Sequence, residues 1–189
     1  MSLPLCPTDC SSNLPAVDFD KCNPITNNAE ISKLYFTTVG NPLTNYANEL
    51  EWDGRLDNSA SGANKIRMLT VIGEFPAVGD NEKEISGGRK KEGVKDFQIN
   101  VTVDETSSTN YNSLIRNMEC GGNYLVWFET RDGKMWGGNS GIEAFIKFKL
   151  NISKSYNDLI VFDGTIKWKS QYHPEGYITS PVTDSTGNQ

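Results

Sequence analysis

Two stretches of strict alternation constrain the fold most. Phe97, Ile99, Val101 and Val103 alternate with Gln98, Asn100, Thr102 and Asp104, and Ile142, Ala144, Ile146, Phe148, Leu150 and Ile152 alternate with Glu143, Phe145, Lys147, Lys149 and Asn151. Successive side chains of a strand point to opposite faces, so each run makes a strand with one apolar and one wet face. Such strands must bury their apolar faces against other strands, which makes the chain mainly β.

More strands follow from the same pattern. Ile31 to Thr38 carries Leu34, Tyr35 and Phe36 at its centre. From about Lys65 to Glu74, Ile66, Met68, Thr70 and Ile72 share one face, and Arg67, Leu69 and Val71 the other. Tyr124 to Thr130 is apolar on both faces and is expected to be central. Arg131-Asp132-Gly133-Lys134 reads as a turn. Ile160 to Trp168 reads as the last strand, with Gly164 marking a bulge or a close approach.

One helix is expected over 107–120. Ser107 or Ser108 can cap its first turn, Tyr111, Leu114, Ile115 and Met118 form one apolar stripe, and Gly121-Gly122 stops it. Residues 40–64 read as a loop, tacked to the core by Trp52 and Leu56. Residues 75–95 read as a long charged hairpin: Glu82-Lys83-Glu84 precedes Gly87-Gly88 and Arg89-Lys90-Lys91 follows, so an acidic arm is expected to face a basic one.

The expected architecture is an antiparallel β-sandwich or small barrel with one α-helix. Residues 1–28 form an extended arm, with Pro4, Pro7, Pro15 and Pro24 between the apolar anchors Leu14, Val17, Phe19 and Ile25, and they are expected to dock on something. Residues 29–182 form one β-rich domain, and 183–189 a flexible polar tail. The 189 residues suffice for one domain with a real core. A formal charge of −6 argues against general affinity for nucleic-acid backbones, yet allows passive contact with DNA passing through an acidic channel. No apolar run reaches the length of a membrane span, and the start lacks the pattern of a secretion signal.

Few residues offer chemistry. The cysteines are Cys6, Cys10, Cys22 and Cys120. They would be the ligands of a four-thiolate zinc site, but only if Cys120 returned to the N-terminal three, and reduced thiols explain them more simply. The single histidine, His173, has no evident partner for nucleophilic catalysis. Asp104-Glu105 could do acid–base work, but placement before a helix explains the pair. Asp53 and Asp57 lack the full calcium-loop pattern. Neither Gly87-Gly88 nor Trp136-Gly137-Gly138-Asn139-Ser140-Gly141 matches a phosphate loop. No enzyme, cofactor or small-molecule substrate is expected. Trp136, among glycines, is the best candidate for an exposed sugar-stacking platform, so a carbohydrate-binding module is the alternative from another class. Trp127 and Trp168 are expected in the core.

The segment Asp96 to Ser170 resembles the tail-tube family of phages and the related tube protein of type VI secretion. The residues that carry the resemblance are the strand Phe97 to Asp104, the helix Ser108 to Cys120, the strand from Gly121-Gly122-Asn123 through Phe128, the turn Arg131 to Lys134 and the strand opening Gly141-Ile142-Glu143-Ala144-Phe145-Ile146. The opening, with its Cys/Pro leader before Glu30 to Phe36, also resembles virion proteins from phages of gut Bacteroidetes, which would suit a capsid auxiliary or head–tail connector protein as well.

The resemblance implies a virion protein assembled in the host cytoplasm, with copies of itself and other virion proteins as partners. Six copies would form a ring by joining edge strands. The charged loop, at Glu82, Lys83, Glu84, Gly87, Gly88, Arg89, Lys90 and Lys91, would reach a neighbour, and the arm, at Leu14, Val17 and Phe19, would add contacts between rings.

Overall fold

The computed structural model describes residues 29–57 and 62–182. The arm expected over 1–28 and the tail over 183–189 lie outside the described residues. In chain order the elements are β1 (Ile31–Thr38), α1 (Glu49–Leu56), β2 (Arg67–Glu74), β3 (Glu82–Ile85), β4 (Arg89–Glu92), β5 (Lys95–Val103), the helix α2 over 108–118, β6 (Gly122–Thr130), β7 (Lys134–Trp136), β8 (Ile142–Asn151), β9 (Val161–Ser170) and β10 (Ile178–Thr179).

All pairings are antiparallel. The main sheet runs β1-β2-β5-β9-β8-β6-β7-β10, and β1 also pairs with β6, so the first six strands in that order close on themselves. The result is barrel-like rather than a regular barrel. β2 meets β5 only at Ile72–Glu74 against Asn100–Thr102, and β8 leaves β9 beyond Phe145 to follow β6. β3 and β4 form a separate two-stranded ribbon.

Alternation fills the interior. Phe97, Ile99, Val101 and Val103 on β5, Ile142, Ala144, Ile146 and Phe148 on β8, and Phe162, Ile166 and Trp168 on β9 share one core with Leu34, Phe36, Leu69, Val71, Val126 and Phe128. Leu150 and Ile152 keep the alternation of β8 but overshoot the rim, and are 40% and 63% exposed. Gly164 marks a close approach rather than a bulge. Its register with Val101 and Phe148 is continuous, and a Cβ there would sit 2.6 Å from the Phe148 ring and 2.7 Å from Val101. Gly164→Ala is therefore expected to cost about 1–3 kcal/mol through overpacking, measurable as a lowered urea midpoint.

A second core lies outside β1 and β6, which explains why both strands are apolar on both faces. Tyr35, Leu125 and Trp127 point away from the barrel and meet Leu43, Tyr46, Trp52, Ile66, Met135 and Val182. Trp52 packs edge-on to Tyr35 and Trp127, with centroids 5.2 and 5.5 Å apart. The Trp127 indole N–H donates to the Gly138 carbonyl at 2.7 Å. Gly137 and Gly141 lie against its ring, where a Cβ would come within 2.7 and 2.8 Å. The glycines of 136–141 are thus a cradle for Trp127.

Two expectations change. Residues 40–64 are not all loop, because α1 forms there. Asn48 accepts from the Leu50 amide as N-cap, and Glu51 receives the Thr44 and Asn45 amides at 2.8 and 2.9 Å. Asp53 and Gly54, poor helix formers, obscure this in the sequence. Two short strands, β7 and β10, also extend the sheet beyond the expected turn. The expected α2 is present but wider in its middle: α-turns at Ser108–Asn110 and Arg116–Met118 flank a π-turn at Tyr111–Ile115. Ser107 is its cap. Ile115 and Met118 are buried in the barrel core, and Tyr111 stacks on Phe162 at 5.9 Å.

Candidate assembly surfaces

Strand ends divide the body into two ends. At one, β5 ends, β9 begins and α2 crosses. At the other, β2 ends and β5 begins, and the β3–β4 ribbon projects between them. Its tip is Gly87-Gly88, with φ of 83° and 68°, a conformation that glycine adopts without strain.

The register sets Glu82 opposite Glu92, Lys83 opposite Lys91, Glu84 opposite Lys90 and Ile85 opposite Arg89. The expected facing of an acidic arm and a basic arm therefore holds at only one of these pairs, Glu84 with Lys90. A one-to-one pairing of the arms would put every acid against a base, but the turn fixes a register that sets like against like at two positions. Lys90 reaches diagonally to Glu82 at 2.6 Å, which holds the Lys90 ammonium above its ordinary pKa through that hydrogen bond. Both strands are exposed except at Glu92. The base is tied down: Gln171 donates to the Glu92 carbonyl at 3.2 Å, Asn81 donates to the Val94 carbonyl at 2.7 Å, and Lys95 lies 2.9 Å from Glu92.

Beneath the ribbon, aromatic side chains plug this end of the barrel. Phe97 stacks on Trp168 at 5.3 Å, and Phe75 packs against both. His173 is exposed and edge-on to Phe97 at 5.1 Å, which makes it a lid on this cluster. Beside it, where β8 and β9 part, an open cleft of about 540 Å³ brings together Glu143, Lys167, Lys169, His173 and Glu175 with Phe145. Of its hydroxyls, Ser170 Oγ accepts from the Tyr172 amide.

At the opposite end the loop between β8 and β9 is fully exposed and apolar in places: Ile152, Tyr156 and Leu159 are 63%, 102% and 73% exposed. Ile152 and Ile160, expected in the flanking strands, belong to this loop. Its signal is four large apolar residues, Ile152, Tyr156, Leu159 and Ile160, among Asn, Ser, Lys and Asp.

The other candidate residues take ordinary places. Asp104 and Glu105 are exposed just ahead of the α2 cap. Asp53 lies within α1, and its carbonyl accepts the Asp57 amide at 3.0 Å. Cys120 is exposed. Cys6, Cys10, Cys22, Leu14, Val17 and Phe19 lie outside the described residues. Among the described residues no three His, Cys, Asp or Glu gather as a metal site would require, and no helix is long and apolar enough to cross a membrane. Trp136 is not the exposed platform expected of it. It is half-buried, stacked on Phe128 at 6.0 Å and met by Tyr177 at 5.1 Å, because β7 places it beside β6 rather than on a loop tip.

The borders of the body strands are mostly engaged within the chain, because β1 pairs with β6 and closes the sheet. Among the described residues, edges remain where β2 and β5 pair only at Ile72–Glu74 against Asn100–Thr102 and along the outer side of β10, and β3 and β4 form a free-standing ribbon. The chain matches no family model, no curated protein and no solved structure.

Proposed function

We propose that this chain is a structural subunit of a phage virion, of the tail-tube type, which assembles with copies of itself into rings that form a conduit. The observation that carries the reading is the β3–β4 ribbon. A two-stranded hairpin alone is marginal in water, and this one stands apart from the main sheet, six strands of which come round on themselves. A limb of that kind gains stability by docking on another molecule. The resemblance of the segment Asp96 to Ser170 to tube subunits is the second support for the reading.

With most strand borders paired within the chain, ring contacts fall to the ribbon and to the surfaces at the two ends rather than to a sheet continuous between subunits. Six copies per ring is the number the resemblance implies. The full chain, concentrated and viewed by negative-stain electron microscopy with parallel sedimentation velocity, is expected to give rings or short tubes. A monomer at every concentration overturns the proposal.

A further inference from the structure

The ribbon is two-faced in charge. Residues directly opposite in an antiparallel pair share a face, and neighbours along a strand alternate. The register therefore places Glu82, Glu84, Glu92 and Lys90 on one face, and Lys83, Lys91, Arg89 and Ile85 on the other. One face holds three carboxylates around a single ammonium, and the other holds three cations beside an isoleucine that is 40% exposed. Like charges directly opposite destabilise a pair, and both Glu82/Glu92 and Lys83/Lys91 are of that kind. Within the chain, Lys90 eases the first by binding Glu82, and Lys95 by approaching Glu92.

We propose that the ribbon stacks on the same ribbon of a second copy, the basic face of one on the acidic face of the next. This rests on the self-assembly reading and names the contact. Each like-charged pair then meets opposite charge across the stack, and Ile85 is covered. The two faces differ, so the contact is head-to-tail: an open stack keeps one free face of each sign, and the assembly either closes into a ring or continues. Opposed charges also set which way a copy adds.

The test uses the full chain and two variants. Glu82→Lys/Glu84→Lys makes both faces basic. Lys83→Glu/Arg89→Glu/Lys91→Glu makes both faces acidic. All five positions are exposed, so near-ultraviolet circular dichroism of the buried tryptophans is expected to match the wild type. In sedimentation velocity at low salt, each variant alone is expected to associate at least about 10-fold more weakly than wild type, and an equimolar mixture to associate again, with both effects shrinking as salt rises. The inference is overturned if either variant assembles like wild type, or if the mixture does not recover. It is also overturned if reversing the basic face abolishes binding to duplex DNA while self-association is unchanged. A wild-type chain that stays monomeric removes the self-assembly reading itself, which a normal assembly of the variants would not.

Discussion

Trp127→Ala is expected to lower stability by about 3–5 kcal/mol, the range for truncating a large buried aromatic. Domains of this kind are stable by only about 5–15 kcal/mol in total, so the loss takes a large share of the margin. Trp127 is fully buried. Its ring joins Trp52 to the glycines of 136–141, and its N–H holds the Gly138 carbonyl. Alanine leaves a cavity that those glycines cannot fill, because they carry no side chains to move into it. It also leaves that carbonyl without its donor. Chemical denaturation followed by circular dichroism measures the loss; a midpoint unchanged from wild type would mean that the outer core contributes little to the folded state.

Arg55→Met is expected to cost about 3 kcal/mol, from hydrogen bonds made by a charged donor to carbonyls left without it. The side chain is 9% exposed. Its guanidinium donates to the carbonyls of Asn64 at 2.6 Å, Pro42 at 3.0 Å and Asn41 at 2.7 Å. It therefore ties both ends of the excursion between β1 and β2 to α1. Burial pushes the guanidinium below its ordinary pKa, while Glu51, 3.9 Å away, pushes it back up. Methionine matches much of the volume but supplies no donor, so the loss isolates the hydrogen bonds from the packing. Hydrogen exchange is expected to speed up at the Leu43 and Ile66 amides, which bond to Asn139 and to Arg55 itself, while the barrel amides of β5 and β9 stay protected. Equal acceleration across the barrel would show that the excursion and the barrel unfold as one unit.

The assembly reading and these stability expectations are independent. Trp127 and Arg55 act inside one copy, on the side of the barrel covered by α1 and β7. The proposed ribbon contact lies at the β2–β5 end. A variant that weakens the first should leave the second able to associate for as long as the chain stays folded.

The sequence by itself determined the strands whose two faces differ, because alternation over seven or more residues has one physical meaning. β5 and β8 fell where expected, Tyr124 to Thr130, apolar on both faces, is a central strand, and Ser107, Tyr111, Ile115, Met118 and Gly121 marked α2 from cap to stop. Gly87-Gly88 located the hairpin tip. Only the tertiary structure decided that β1 pairs with β6 and closes the sheet, since closure is a long-range pairing with no local signal. It also decided the register of β3 on β4, which turned an apparent acidic and basic arm into an acidic and a basic face. And it decided the places of Trp136 and α1, where neighbours distant in sequence outweighed the glycines and weak helix formers beside them.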